Sequence, residues 1–425
     1  MSSILIKNGY VINVENGTYS KMDVLIEENI IKKVEKNINI NADKIIDVAG
    51  NVVMPGFVNA HMHSPMSIFR GYSDDCSLYE WLNEKIFPIE AKLNDESVYY
   101  ATMLSCIEMI KSGTTCFNDM YLFTDMVAKA VKDSKIRASL GRTIFEVSDD
   151  NDESIKEAID IVEKYNNTEN GRITANITAH ALYTCNEKAI LDCIKLAKKY
   201  NVPFHIHLDE TKKEHEDIKN KYGVTPLGYL KEKGAFDVPL ILAHSVWLDD
   251  KDILELKNIK GGIVHNPISN SKLASGIAPI KKYMDNGILI ALGTDGDGST
   301  NTLDMFEEMK LCSYLQKIST LDPTCISARD VVKFATINGA KILNINDIGS
   351  IRVGNKADVI IVDMKNEHQI PVHDIFSNLA YSTNGNDVIT TIVDGNILME
   401  NRKLTFIDEN EIYQKCNQIK EKLFK

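Results

Sequence analysis

The chain opens in short alternating stretches of apolar and polar residues. Ile4-Leu5-Ile6, Tyr10-Val11-Ile12 and Val24-Leu25-Ile26 are separated by Asn8-Gly9 and Asn16-Gly17. Alternation broken by Asn-Gly pairs is the pattern of half-buried strands joined by tight turns. From about residue 55 to 345 the pattern changes: residues 173–182 read as a strand, 187–199 as a helix and 202–208 as the next strand. Buried strands alternating with amphipathic helices predict βα units around a parallel sheet. Eight strands are predicted, near 57–63, 114–119, 137–145, 173–182, 202–208, 239–246, 261–266 and 288–295. Eight points to a closed barrel. After about 350 alternation returns in residues 357–363 and 388–394, followed by a helical tail from about 409. The two flanks are expected to pair into one small β domain.

Composition narrows the function. The 425 residues are 44% apolar and 25% charged, with a net charge of -12 and no clustered Lys and Arg. That argues against a nucleic-acid surface and for a small-molecule partner. No run of about 18 apolar residues exists, and the start Met1-Ser2-Ser3-Ile4-Leu5-Ile6-Lys7 lacks the regions of a signal peptide. The expectation is a cytoplasmic protein without a membrane partner. Eight cysteines are scattered with no C-x-x-C pair, so neither a zinc knuckle nor a disulfide framework is indicated.

The chemistry concentrates at the carboxyl ends of the predicted strands, where barrel enzymes build their sites. His61-Met62-His63 ends an apolar run, and two side chains one residue apart share a face if the segment is extended. Such a pair is common by chance; its weight comes from company. His207, His244 and Asp295 each close a further strand. Four imidazoles and a carboxylate at one mouth suit Zn²⁺, and Fe²⁺ equally. Glu210, three residues after His207, reads as a proton carrier beside metal-activated water or, more blandly, as an acid at a helix N-terminus.

The strings P-G-F-V-N-A-H-M-H-S-P-M, H-L-D-E-T, A-H-S-V, H-N-P-I-S-N-S-K-L and G-T-D-G resemble the amidohydrolase superfamily, in its aminohydrolase and chlorohydrolase branch. The likeness is strongest to the 5′-methylthioadenosine/S-adenosylhomocysteine deaminases. It extends to residues 349–358, similar to the segment by which these proteins re-enter a β-sandwich. The resemblance implies an α/β fold: a distorted TIM (β/α)8 barrel over 56–349, a small β-sandwich domain from 1–55 and 350–405, and a C-terminal helix over 406–425. It implies one divalent metal, Zn or alternatively Fe, held by His61, His63, His207 and Asp295, with no carbamylated lysine. His244 would orient the attacking water, Glu210 would carry a proton to the ring nitrogen, and Asp295 would deprotonate the water. Hydroxide would then attack C6 of adenine with loss of ammonia. A homo-oligomer is also implied.

Substrate contacts carry over residue by residue. Glu90 matches the acid that accepts hydrogen bonds from the ribose hydroxyls, although alone it reads as a solvated helix acid. Trp81 is placed to line the pocket, or is simply core. His180 and Arg142 match positions that meet the nucleoside and its 5′ substituent, although a lone strand histidine is more often structural. His265 and Asn266 would shape the site from behind. Relatives that handle S-adenosylhomocysteine place a second arginine about a dozen residues beyond Arg142; here residues 146–153 hold five acids and no arginine. The expected substrates are therefore 5′-deoxyadenosine or 5′-methylthioadenosine ahead of S-adenosylhomocysteine. Two alternatives stay open: another heterocycle such as guanine, cytosine, a pterin or a triazine, and a non-catalytic structural relative.

Overall fold

The computed structural model describes residues 3–148 and 152–424. Eight parallel strands form the barrel sheet: Phe57–Met62, Thr114–Tyr121, Arg137–Ile144, Ile177–Ala181, Phe204–Leu208, Pro239–His244, Lys260–His265 and Ile290–Leu292. They are numbered first to eighth below. Neighbours pair in chain order, and the first and eighth are the two ends of the hydrogen-bonded path. The eighth is short because the chain leaves its ladder at Gly293, whose Cβ position would lie 2.7 Å from the carbonyl oxygen of His61. The seam is closed instead by the backbone N–H of Asp295, which donates to that carbonyl at 3.0 Å. The predicted strand over 173–182 is two pieces, Ile173–Ala175 and Ile177–Ala181, divided at Asn176. The first pairs with the third strand, and the second bridges the third and fifth.

The flanks join as the alternation suggests. Strands Val52–Pro55 and Val359–Val362 pair antiparallel, with Val53 opposite Ile361, within one nine-stranded sheet that takes strands from both ends of the chain. Its apolar core draws Ile6, Val24 and Ile26 from one flank and Val359, Ile361 and Ile392 from the other. The final helix, Glu409–Leu423, packs on the helix Asp95–Ser112, and Cys416 lies 3.4 Å from the Tyr100 carbonyl. The helix expected near Glu153 is Glu153–Tyr165, capped by Asp152; Asp149, Asp150 and Asn151 of the acidic run lie outside the described residues. All eight cysteines are free thiols, seven of them buried.

Barrel and flanking sheet are tied by a buried ion pair. Arg137, opening the third strand, donates from Nε to Asp358 at 2.7 Å and from Nη2 to its other oxygen at 2.9 Å, both side chains being 1% exposed. A second carboxylate, Asp394, stands 3.4 Å away. Asp358 closes the 349–358 string, so that segment carries a charge which the barrel must neutralise. Removing one member of a buried pair strands the other in a low dielectric. Arg137→Met is therefore expected to lower unfolding free energy by about 3–5 kcal/mol, read by denaturant titration; an unchanged midpoint would contradict it.

Candidate metal centre and substrate cavity

His63 ends the first strand's run and precedes the short 3-10 helix Ser64–Phe69. Its Nδ1 donates to the carbonyl of Met120 at 2.6 Å. His207, on the fifth strand, donates from Nδ1 to the carbonyl of His180 at 2.8 Å. His244, ending the sixth, has Nδ1 2.8 Å from Oδ1 of Asn270. An oxygen acceptor at Nδ1 selects the tautomer whose lone pair is on Nε2. Three imidazoles thus present Nε2 to a common volume. His61 brings its Nε2 to the same place, buried and with no hydrogen-bond partner.

Asp295 completes the cluster. Its Oδ1 lies 3.1 Å from Nε2 of His63 and 3.6 Å from Nε2 of His61, and Nε2 of His207 lies 3.3 Å from that of His63. Ligands at zinc–nitrogen distances on a tetrahedron are separated by roughly 3.3 Å, so this spacing fits a metal ion. Ligating atoms of His61, His207, His244 and Asp295 also fall within 4.8 Å of one another. The two sets of four share His61, His207 and Asp295 and differ in whether His63 or His244 is the fourth.

Electrostatics prepare the donors. Burial drives the pKa of His61 down to about 3 and that of His207 well below its ordinary value, so both rings are neutral. Burial also opposes protonation of His63, but its hydrogen bond to Asp295 and that residue's charge outweigh burial and raise it. Burial works against ionisation of Asp295, yet the histidines beside it hold the carboxyl well below the usual range. Ser269 and Ser299 donate to its Oδ2 at 2.6 and 3.0 Å, and the backbone of Gly296 donates to Oδ1 at 2.8 Å.

Glu210 stands just past the fifth strand, with Oε2 3.9 Å from Nε2 of His244 and Oε1 accepting from Ser275 at 3.1 Å. Burial raises its carboxyl above the ordinary value. Left-handed backbone places these groups: φ is +53° at Asp209, +67° at His244 and +65° at Asp295. Such values cost non-glycine residues of order 1–3 kcal/mol and persist where surrounding structure enforces them. Each lets the chain turn at a strand end while its side chains stay in the mouth.

One cavity contains His63, His207, His244, Asp295 and Glu210 and, from the sequence expectations, Trp81, Glu90 and His180. Glu90 is raised by burial, against the neighbouring Tyr121 and His63. His180 stacks on Phe145 at 4.9 Å and holds Thr184 through Nδ1 at 2.7 Å. No lysine or arginine is among the lining residues described.

Arg142 is not brought to this cavity. Strand alternation turns Thr143 inward and Arg142 outward, where it donates to Glu157 at 2.6 Å and to the Thr143 carbonyl in a separate cleft with Lys129 and Lys164. His265 and Asn266 are buried but outside the lining, their side chains without hydrogen-bond partners. Tyr121, Phe145 and Tyr183 line the cavity without any motif that marks them. Ser269 and Asn270 were available in H-N-P-I-S-N-S-K-L, whose helical spacing sends both back to the cluster.

Comparison with known proteins matches this geometry. The chain is 45% identical over 420 residues to the 5-methylthioadenosine/S-adenosylhomocysteine deaminase of Carboxydothermus hydrogenoformans, covering 98% of this chain and 97% of that protein. It is 43% identical over 427 residues to the 5′-deoxyadenosine deaminase of Methanosarcina acetivorans, covering 100% and 99%. A crystal structure of an adenosine deaminase from Xanthomonas campestris with bound zinc superposes with a TM-score of 0.96 at 30% identity, over 100% of this chain and 99% of that one. The amidohydrolase family model matches residues 52–398, a span that begins before the His61 pair and runs past Asp295 into the flanking sheet, and by that match the chain belongs to the amidohydrolase family.

Proposed function

We propose that the protein is a metal-dependent aminohydrolase of adenine nucleosides, with 5′-deoxyadenosine and 5′-methylthioadenosine ahead of S-adenosylhomocysteine, one zinc per chain, and the residues of the cavity in the roles below. The observation that carries this is the single cavity joining the imidazole and carboxylate cluster to Glu90, with no lysine or arginine among its described lining residues. The close relatives' names agree in substrate class. The unpaired thiols support a reducing, cytosolic setting, and among the described residues no helix is long and apolar enough to cross a membrane. The proposal includes a homo-oligomer that binds no nucleic acid.

His61, His63, His207 and Asp295 would hold the ion, which when bound supplies the positive charge that brings the pKa of water to roughly 7. The rest is done by side chains. Asp295, ionised and held by two serines and the Gly296 amide, takes a proton from the water while His244, fixed by Asn270, orients it. Oxygen adds to C6 and the purine ring nitrogen N1 gains a proton from Glu210, which burial keeps available as an acid. Asp295 passes the proton it took to the exocyclic nitrogen, and as the C–N bond breaks the C6 hydroxyl returns its proton to Glu210, leaving the inosine analogue and ammonia with both carboxyls restored. Glu90 binds the ribose diol, and Trp81 and His180 flank the nucleoside. With Arg142 held outside by Glu157, a carboxylate on the 5′ substituent meets no counter-charge among the lining residues described.

Three measurements test this reading. Turnover of 5′-deoxyadenosine, 5′-methylthioadenosine and S-adenosylhomocysteine, followed by ammonia release and the adenine-to-hypoxanthine spectral change, should give kcat/KM values at least about tenfold lower for S-adenosylhomocysteine, the size of one lost charged hydrogen bond. A preference for it, or no turnover of any, defeats the assignment. Glu90→Gln should lower kcat/KM for nucleosides about 10- to 100-fold, chiefly through KM; unchanged nucleoside activity would favour another heterocycle.

The third measurement follows from His63. Its pKa is raised above 6.5 in the metal-free fold, so binding must displace a proton whenever the pH is below that raised value. Apparent zinc affinity is then expected to fall about tenfold per pH unit on the acid side and to flatten above it. Chelator competition from pH 5.5 upward reads this, and a pH-independent affinity would remove His63 from the ligand set.

A further inference from the structure

The short helix Pro267–Lys272 starts without a cap of its own. Asn266 precedes it and makes no side-chain bond to its first turn, and Pro267 has no N–H, so Ile268 offers the first free backbone donor. Another helix supplies the acceptor. Glu308, on Met305–Thr320, takes the Ile268 N–H on Oε2 at 3.1 Å. Glu308 is wholly buried and its Oε1 has no hydrogen-bond partner, so the Ile268 bond is the one its carboxyl makes among the described residues. A glutamate is seldom fully buried without a counter-charge, and an apolar side chain would fill the same place at lower cost. Burial outweighs the Ile268 bond and raises the carboxyl well above its ordinary range, which favours the neutral acid.

What the capped segment carries gives this contact its weight. Ser269 donates to Oδ2 of Asp295 at 2.6 Å, and Asn270 accepts from Nδ1 of His244 at 2.8 Å. Ser275, whose N–H is bonded to the Asn270 carbonyl at 2.8 Å, donates to Oε1 of Glu210 at 3.1 Å. One short segment therefore holds three groups that the proposed reaction uses. Its start is not set by the barrel alone. The seventh strand ends at His265, and Asn266, with φ -119° and ψ 71°, is neither strand nor helix. From there the turn moves as a unit, since Asn270 donates its N–H to the Asn266 carbonyl at 3.0 Å. Displacing the start of the helix displaces Ser269 and Asn270 with it.

We propose that Glu308 is a positioning residue for the metal centre: by accepting the Ile268 N–H it fixes the start of the Pro267–Lys272 helix, and so holds Ser269 against Asp295 and Asn270 against His244. The inference rests on the reading of Asp295 as a ligand. Its competitor is a glutamate that caps the helix for stability alone, which would change unfolding and leave metal affinity intact.

The test uses the purified, metal-stripped full chain and two readouts: zinc affinity by chelator competition, and thermal unfolding without metal. Glu308→Gln keeps the acceptor and the length of the side chain, and Glu308→Met keeps the length without the acceptor. Groups that hold a ligating side chain are worth about 10- to 100-fold in metal affinity, and Asp295 still keeps Ser299 and the Gly296 amide. The expected result is a zinc affinity about tenfold weaker for Glu308→Met and for Ser269→Ala, and largely restored in Glu308→Gln. Combining Glu308→Met with Ser269→Ala should add no more than about threefold to the loss from Ser269→Ala, because the first acts through the second, whereas independent effects would multiply to about a hundredfold. Should Glu308→Met fail to fold, Glu308→Asp, one methylene too short to reach Ile268, takes its place with the same expectation. Zinc affinity unchanged in Glu308→Met, a Glu308→Gln variant as weak as Glu308→Met, or a multiplied loss in the combined variant would overturn the proposal. Asp295→Ala separates the two readings. If it binds zinc as tightly as the unaltered chain, the ligand assignment falls and this inference with it; if it loses zinc while Glu308→Met does not, only the role of Glu308 falls.

Discussion

The site depends on how the barrel closes. Its first and eighth strands do not share a regular ladder; they meet through the Asp295 N–H on the His61 carbonyl and through Asn59, whose side chain accepts from the Thr294 amide at 3.0 Å and donates to the Thr294 hydroxyl at 2.7 Å. The atoms that close the sheet therefore belong to the residues that face the metal volume or to their immediate neighbours. Gly293 makes this possible, since any side chain there would collide with the backbone of His61. A loosened seam would separate His61 from Asp295 before it unfolded the barrel, so closure and ligand geometry are one constraint.

This coupling explains why left-handed residues gather at the mouth. A strand continuing past His244 or Asp295 would carry its next side chains alternately away from the axis. Turning at positive φ stops that alternation and leaves Glu210, His244 and Asp295 around one volume. The conformational cost is offset by contacts the turns create, including the bonds of Ser269 and Ser299 to Asp295 and the Tyr283 hydroxyl on the Ser245 carbonyl at 2.6 Å.

How much of this was legible in the sequence follows from the same geometry. The eight strands and the convergence of His61, His63, His207, His244 and Asp295 could be read because apolar runs mark buried parallel strands and each ligand type ended one. Arg142 misled because motif matching fixes a position on a strand but not which face it takes; one residue of alternation separates the cavity from the cleft with Glu157. The break at Asn176 was invisible for a related reason: an isolated polar residue in an apolar run does not show that three neighbours will hydrogen-bond to it. His205 carried a signal, since Phe204-His205-Ile206-His207 repeats the spacing of His61-Met62-His63, but what it meets across the barrel is tertiary information.

A TIM barrel ordinarily fills its interior with branched apolar side chains, and the layer under this mouth departs from that by burying Asn59, Asn118, Ser139, Asn176, Thr178 and His205. Buried polar groups cost stability unless each is satisfied, and a satisfied network permits few arrangements of its members. An apolar layer would pack against the histidine rings of the cluster without preferring one orientation. The polar layer prefers one, because rotating the Asn118 amide would set its oxygen against the Ala60 carbonyl. Rigidity is thus supplied below the metal volume, by residues of the first to fifth strands, while the groups above it, Glu90, Trp81 and His180, sit among apolar and aromatic side chains that can accommodate a nucleoside. The division between an ordered floor and an adaptable wall suits a reaction in which the nucleophile must be fixed and the substrate must come and go.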